Sequence, residues 1–127
     1  MKILLDTHLI LWWLANSPSL SGQARERISN PASTLFVSAV SLWEIWLKES
    51  LGKLRLPSNF EARLAEESFE NLPLTAAHAR QVALLPWRHR DPFDRMLVAQ
   101  AQVEKLEFLT ADDTVTPYGD FVRLVRH

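Results

Sequence analysis

Asp6, Glu44, Asp94 and Asp112 are the side chains through which this chain has most chemistry to offer. Each has an ordinary explanation when taken alone. Asp6 follows the apolar run 3–5 and precedes Thr7 and His8, which suits a helix N-cap. Glu44 shares a helical face with Ser41 and Lys48, so a solvated stripe with an i,i+4 ion pair would account for it. Asp91 before Pro92 reads as a helix start, and the helix dipole favours Asp94 in the first turn. That preference does not account for His89, Arg90 and Arg95 around it. Asp112 and Asp113 suit a turn.

The acids gain meaning as a set, because strand ends and helix starts meet at one edge of a parallel sheet, where open α/β folds place their ligands. Two carboxylates about 4 Å apart repel by roughly 4 kcal/mol at an effective dielectric of ~20. Such a cluster must take up protons or a cation. Oxygen donors without Cys or His at ligand spacing favour a hard ion, Mg²⁺ or Mn²⁺, over zinc. An ion held by carboxylates serves chiefly phosphate chemistry.

The elements that must carry these acids alternate in type. Residues 3–5 form a strand, and 7–15, apolar on nearly every side, a short buried helix. Ser21 caps a helix to residue 28, and Asn30-Pro31 stops it. A β-branched strand spans 34–37. Ser38 caps a Trp- and Leu-rich helix to residue 53, with Gly52 as its stop signal. A helix at 60–68 and a strand at 70–74 follow, the latter an edge strand because of Pro73. Helices at 75–85 and 92–105 flank the charged loop Arg88-His89-Arg90-Asp91, and strands at 107–110 and 121–125 enclose a loop at 111–119. Alternation of this kind predicts an α/β fold, a parallel sheet covered on both faces.

The bulk numbers set limits. A chain of 127 residues predicts one domain, 1–127, with a real core. With no cysteine, disulfides and thiolate metal sites are excluded. A net charge of −1 leaves any attraction to nucleic acid to a local patch. Asp6 and His8 interrupt the one run that imitates a signal peptide, and no stretch approaches a membrane span, so a cytoplasmic protein is expected.

Four segments in this order resemble the PIN-domain ribonucleases, specifically the VapC toxins of type II toxin–antitoxin pairs. They are Leu4-Leu5-Asp6-Thr7-His8, Ser38-Ala39-Val40-Ser41-Leu42-Trp43-Glu44-Ile45, His89-Arg90-Asp91-Pro92-Phe93-Asp94-Arg95 and Leu109-Thr110-Ala111-Asp112. The resemblance implies a three-layer α/β/α fold with a parallel sheet of about five strands. It makes Asp6, Glu44, Asp94 and Asp112 the catalytic metal ligands, with Thr7 and Thr110 in support and Asp113 the alternative to Asp112. It further implies Mg²⁺, replaceable by Mn²⁺, an RNA substrate cut to 5′-phosphate and 3′-hydroxyl ends, a homodimer and a VapB-like antitoxin that blocks the site.

Arg90 and Arg95 are candidates to hold RNA phosphates, whereas Arg88 reads as loop surface. A structured RNA with exposed bases, such as a tRNA, is the expected target class. Trp12, Trp13, Trp43 and Trp46 belong to the core by default, but adjacent pairs cannot all point inward, which leaves some for a dimer surface or an antitoxin groove. Two rivals stand: metal-free cleavage by His8 and His89 as an acid–base pair, and an inactive RNA- or protein-binding module that keeps the fold. A haloacid-dehalogenase-type phosphatase would want an acid where His8 stands.

Overall fold

The N-terminal apolar run is the middle of the molecule. In the computed structural model, which describes residues 1–125, β1 (Lys2–Leu5) is the central strand of a five-stranded sheet in the order β3-β2-β1-β4-β5. The others are β2 (Thr34–Ser38), β3 (Glu70–Leu72), β4 (Glu107–Thr110) and β5 (Val122–Leu124), and every pairing is parallel. Side chains alternate across a strand, so β1 feeds two cores at once. Ile3 and Leu5 join Leu9, Ile10, Leu35, Val37 and Leu109 on one face, while Leu4 joins Leu97, Val98 and Phe108 on the other.

Helices cover both faces. The first carries α1 (Thr7–Leu14), α2 (Gly22–Ser29) and α4 (Phe60–Glu66), and the second α5 (Ala76–Leu84) and α6 (Pro92–Glu104). Helix α3 (Ala39–Ser50) gives Val40 to one core and Ile45 to the other. The three-layer expectation is met.

Local signals set most boundaries. Helix α3 ends at Ser50, with Gly52 left-handed at φ 72° just beyond it. Pro73 stops β3 at Leu72 on the sheet edge. The expected loop at 111–119 instead holds a 3₁₀ helix, Asp113–Tyr118, which Asp112 caps from its N-terminus. Among the described residues no helix is long and apolar enough to cross a membrane.

The strand order reverses between β1 and β4, since β1 leads away to β2 on one side and β4 to β5 on the other. A crevice at the carboxyl ends of the strands is expected at such a point. Leu5 pairs with Leu109, so the next residues, Asp6 and Thr110, stand side by side there, and the Asp6 amide donates to the Leu109 carbonyl at 3.0 Å.

Candidate metal centre

Asp6 occupies the N-cap position of α1, yet its side chain makes no capping hydrogen bond. Its Oδ2 instead accepts the Thr110 hydroxyl at 2.5 Å. The other oxygen, Oδ1, is buried and has no hydrogen-bond partner among the described residues. The ordinary explanation therefore fails for Asp6. It holds for Asp91, whose carboxylate accepts the Phe93 and Asp94 amides.

Glu44 does not lie on a solvated stripe. Helix α3 turns Ser41, Glu44 and Ile45 inward, leaving Glu44 only 3% exposed. The expected pair with Lys48 does form, at 2.6 Å to Oε2, but Oε1 is buried without a partner among the described residues. The Thr7 hydroxyl donates to Ser41 Oγ at 2.9 Å and so ties α1 to α3, the helix that carries Glu44. Sequence reasoning missed Ser41 as a positioning residue, although it stands one turn before Glu44 on the same helical face.

Asp94, in the first turn of α6, hydrogen-bonds through Oδ2 to His89 Nε2 at 2.8 Å. Asp112 Oδ1 accepts the Thr114 amide and hydroxyl at 2.9 and 2.7 Å, and the Asp112 amide donates to Thr110 Oγ1 at 3.0 Å. One ligand atom from each of His89, Asp94 and Asp112 lies within 4.8 Å of the others. Asp113 is exposed, which leaves Asp112 as the acid of the cluster. Asp6 and Asp112 both line a small cavity of about 310 Å³ with His8 and Trp12.

The electrostatics describe a site short of positive charge. Burial raises the Asp6 carboxyl above its ordinary value, against the Thr110 hydrogen bond. Burial, and then the charge of Asp6, push Asp94 up to about 7, with His89 opposing. Burial acts to raise Asp112 as well, but the Thr114 hydrogen bonds and the two nearby histidines outweigh it and hold that carboxyl low. Among the described residues the structure groups His89, Asp94 and Asp112 closely, while Asp6 is tied to Asp94 and Glu44 through its charge, and Asp6 Oδ1 and Glu44 Oε1 are buried without hydrogen-bond partners. Oxygen donors of this kind suit a hard divalent cation.

The sequence model of the PIN domain matches residues 3–117, a span containing all four acids. The chain belongs to the PIN-domain family. It is 31% identical to ribonuclease VapC22 of Mycobacterium tuberculosis over 113 residues, which cover 87% of this chain and 86% of the relative, and so falls with the VapC proteins. In the fold it resembles the DNA-bound VapBC structure from Salmonella typhimurium, with a TM-score of 0.73 at 19% identity, covering 99% of this chain and 98% of that one. VapBC2 of Rickettsia felis, solved with a promoter DNA fragment, gives a TM-score of 0.72 at 14% identity over the same shares.

One expectation for this PIN domain is corrected. Arg95 is buried, and its guanidinium donates to the Val82, Leu85 and Pro86 carbonyls and to the Tyr118 hydroxyl. The exposed Trp87 indole lies on it, 3.7 Å from guanidinium carbon to ring centroid. Arg95 thus braces the end of α5 against α6, with both terminal nitrogens of the guanidinium taken up inside the protein. Arg88 and Arg90, by contrast, are exposed on the same loop.

The tryptophans divide by helix and not within the adjacent pair, so the core default fails for α3. Trp12 and Trp13 are half-buried, Trp13 donating to Glu67 Oε1 at 3.0 Å, whereas Trp43 and Trp46 are exposed on α3. A groove of about 450 Å³ runs from Thr7, His8 and Glu44 to Leu54, Leu56 and Phe60, with Lys53, Arg55 and Arg63 along it.

Proposed function

We propose that this PIN domain is an endoribonuclease of the VapC type that depends on a divalent ion, Mg²⁺ or Mn²⁺. The observation carrying this reading is the pair of buried oxygens, Asp6 Oδ1 and Glu44 Oε1, left without hydrogen-bond partners among the described residues, with the charge of Glu44 felt by Asp6 and that of Asp6 felt by Asp94. Asp6 and Asp94 would hold the ion most directly, with Glu44 and Asp112 completing the site. When bound, the ion supplies an acidified water and neutralises charge on the phosphoryl oxygens.

The protein's own part is positioning. Thr110 fixes the Asp6 carboxylate and the Asp112 amide with one hydroxyl, Lys48 holds one oxygen of Glu44, and Thr7 with Ser41 joins the helices bearing them. Arg90, exposed with Arg88 on the loop that carries His89 and leads to Asp94, can take the RNA backbone. The products are 5′-phosphate and 3′-hydroxyl ends, and the substrate is a structured RNA with unstacked loop bases, a tRNA being the target class we favour. We place the protein in the cytoplasm, as a homodimer through the outward Trp43 and Trp46, with a VapB-like antitoxin segment in the groove beside Glu44.

The metal-free alternative leaves the buried Asp6 Oδ1 and Glu44 Oε1 with no role and, among the described residues, no hydrogen-bond partner. The deciding experiment incubates purified protein with total RNA in Mg²⁺, Mn²⁺ or EDTA and maps the new ends. Cleavage in either metal, its loss in EDTA and in Asp6→Asn, and 5′-phosphate ends are expected. Cyclic 2′,3′-phosphate ends surviving EDTA would replace this reading with histidine catalysis. RNA binding without cleavage in any metal would leave only a binding module.

A further inference from the structure

We propose that His89 is a ligand of the metal centre, and that its nitrogen makes the site prefer Mn²⁺ to Mg²⁺. The inference rests on the metal reading above and deepens it. Three observations about this loop carry it. One ring nitrogen of His89 and one oxygen each of Asp94 and Asp112 lie within 4.8 Å of one another, and Asp6, whose buried Oδ1 has no hydrogen-bond partner among the described residues, lines one cavity with Asp112. Adjacent ligands of an octahedral ion at about 2.1 Å stand about 3 Å apart. The 2.8 Å between His89 Nε2 and Asp94 Oδ2 is already close to that spacing.

The ring is also held in the manner of a metal-bound imidazole. Thr114 Oγ1 gives its only proton to Asp112 Oδ1, so at 3.3 Å it can serve His89 Nδ1 only as an acceptor. Nδ1 therefore carries a hydrogen and Nε2 is the nitrogen turned to the acids. A hydrogen bond on the far ring nitrogen fixes the orientation and tautomer of ligating histidines generally. An imidazole donor favours first-row transition ions, whereas Mg²⁺ gains little from it and gives up water reluctantly.

The test uses the full chain and a readout other than cleavage. Mn²⁺ is titrated by electron paramagnetic resonance, pulsed spectra are searched for directly bonded ¹⁴N, and Mg²⁺ affinity is obtained by competition. Wild type should show ¹⁴N coupling, and His89→Ala should lose it while weakening Mn²⁺ by at least roughly tenfold and Mg²⁺ by no more than about twofold. His8→Ala should keep the coupling, which separates the two histidines near the site. His89→Gln, which keeps a side chain of similar reach, guards against loop collapse and should also lose the signal. Mn²⁺ bound without nitrogen coupling, or equal losses for both ions in His89→Ala, would overturn the role of His89 and leave the metal centre standing. No Mn²⁺ binding to wild type, or unchanged binding in Asp6→Asn, would overturn both.

Discussion

Asp6 and Glu44 cost the metal-free protein stability, since each buries a carboxylate oxygen with no hydrogen-bond partner among the described residues. Asp6→Asn keeps an oxygen able to accept from Thr110 and removes the charge. Its melting temperature in EDTA at pH 8 should therefore rise, by an amount equivalent to about 1–2 kcal/mol, while RNA cleavage disappears. A variant that loses both activity and stability would show the carboxylate to be structural. Asp94 gives the pH dependence. Its carboxyl, at about 7 in the fold, ordinarily ionises near 3.8. Between those values the unfolded chain has released a proton that the folded one retains, so stability falls as pH rises through the window. Denaturation in EDTA at pH 5 and pH 8 should show this loss, and Asp94→Asn should flatten it. The four acids stand out in the sequence by type and by chain position at strand ends and helix starts, and Asp94 and Asp112 do come together, with His89. The burial of Glu44 was not legible, because helical spacing places it with Ser41 and Lys48 but cannot tell whether another element covers that face.

Among elements, the α5–α6 corner shows what separates a basic residue that builds from one that binds. Arg90 and Arg95 lie in the same segment, but Arg90 stays in the loop before α6 and is exposed, whereas Arg95 lies within the helix, buried under Trp87. Arg95→Met should unfold at lower urea concentration by about 2–4 kcal/mol, since it strands several carbonyls at the end of α5. Arg90→Ala should keep its urea midpoint and instead weaken RNA binding, with a salt slope smaller by about one phosphate contact. If the two variants exchange these phenotypes, the division between brace and contact is wrong. Charge alone could not separate them in the sequence. Helix and strand limits were better marked, by Gly52, by Pro73 and by Asp91 before Pro92, each acting on its own backbone. The 3₁₀ helix escaped notice because Asp112, Asp113 and Pro117 are equally good turn residues.

For the molecule as a whole, alternating strands and helices foretold a parallel sheet but not the order β3-β2-β1-β4-β5, which depends on packing between distant segments. That order gives the site its coupling to stability. Asp6 follows β1, Glu44 rides on α3, Asp94 opens α6 and Asp112 follows β4, so a cation held by all four ties together segments spread along the chain. An ion that binds only the folded arrangement adds stability as RT ln(1 + [L]/Kd), about 2.7 kcal/mol at a hundredfold excess over Kd. For a domain of this size, that corresponds to a rise in Tm on the order of 10 °C. The rise should be larger at pH 8 than at pH 5, because at the lower pH the proton on Asp94 competes with the ion. Differential scanning fluorimetry of wild type, Asp6→Asn and Glu44→Gln across a Mn²⁺ series would measure it. Wild type should shift with concentration and the variants should shift far less. Equal shifts in all three would place the ion elsewhere on the surface and separate the acidic crevice from metal binding.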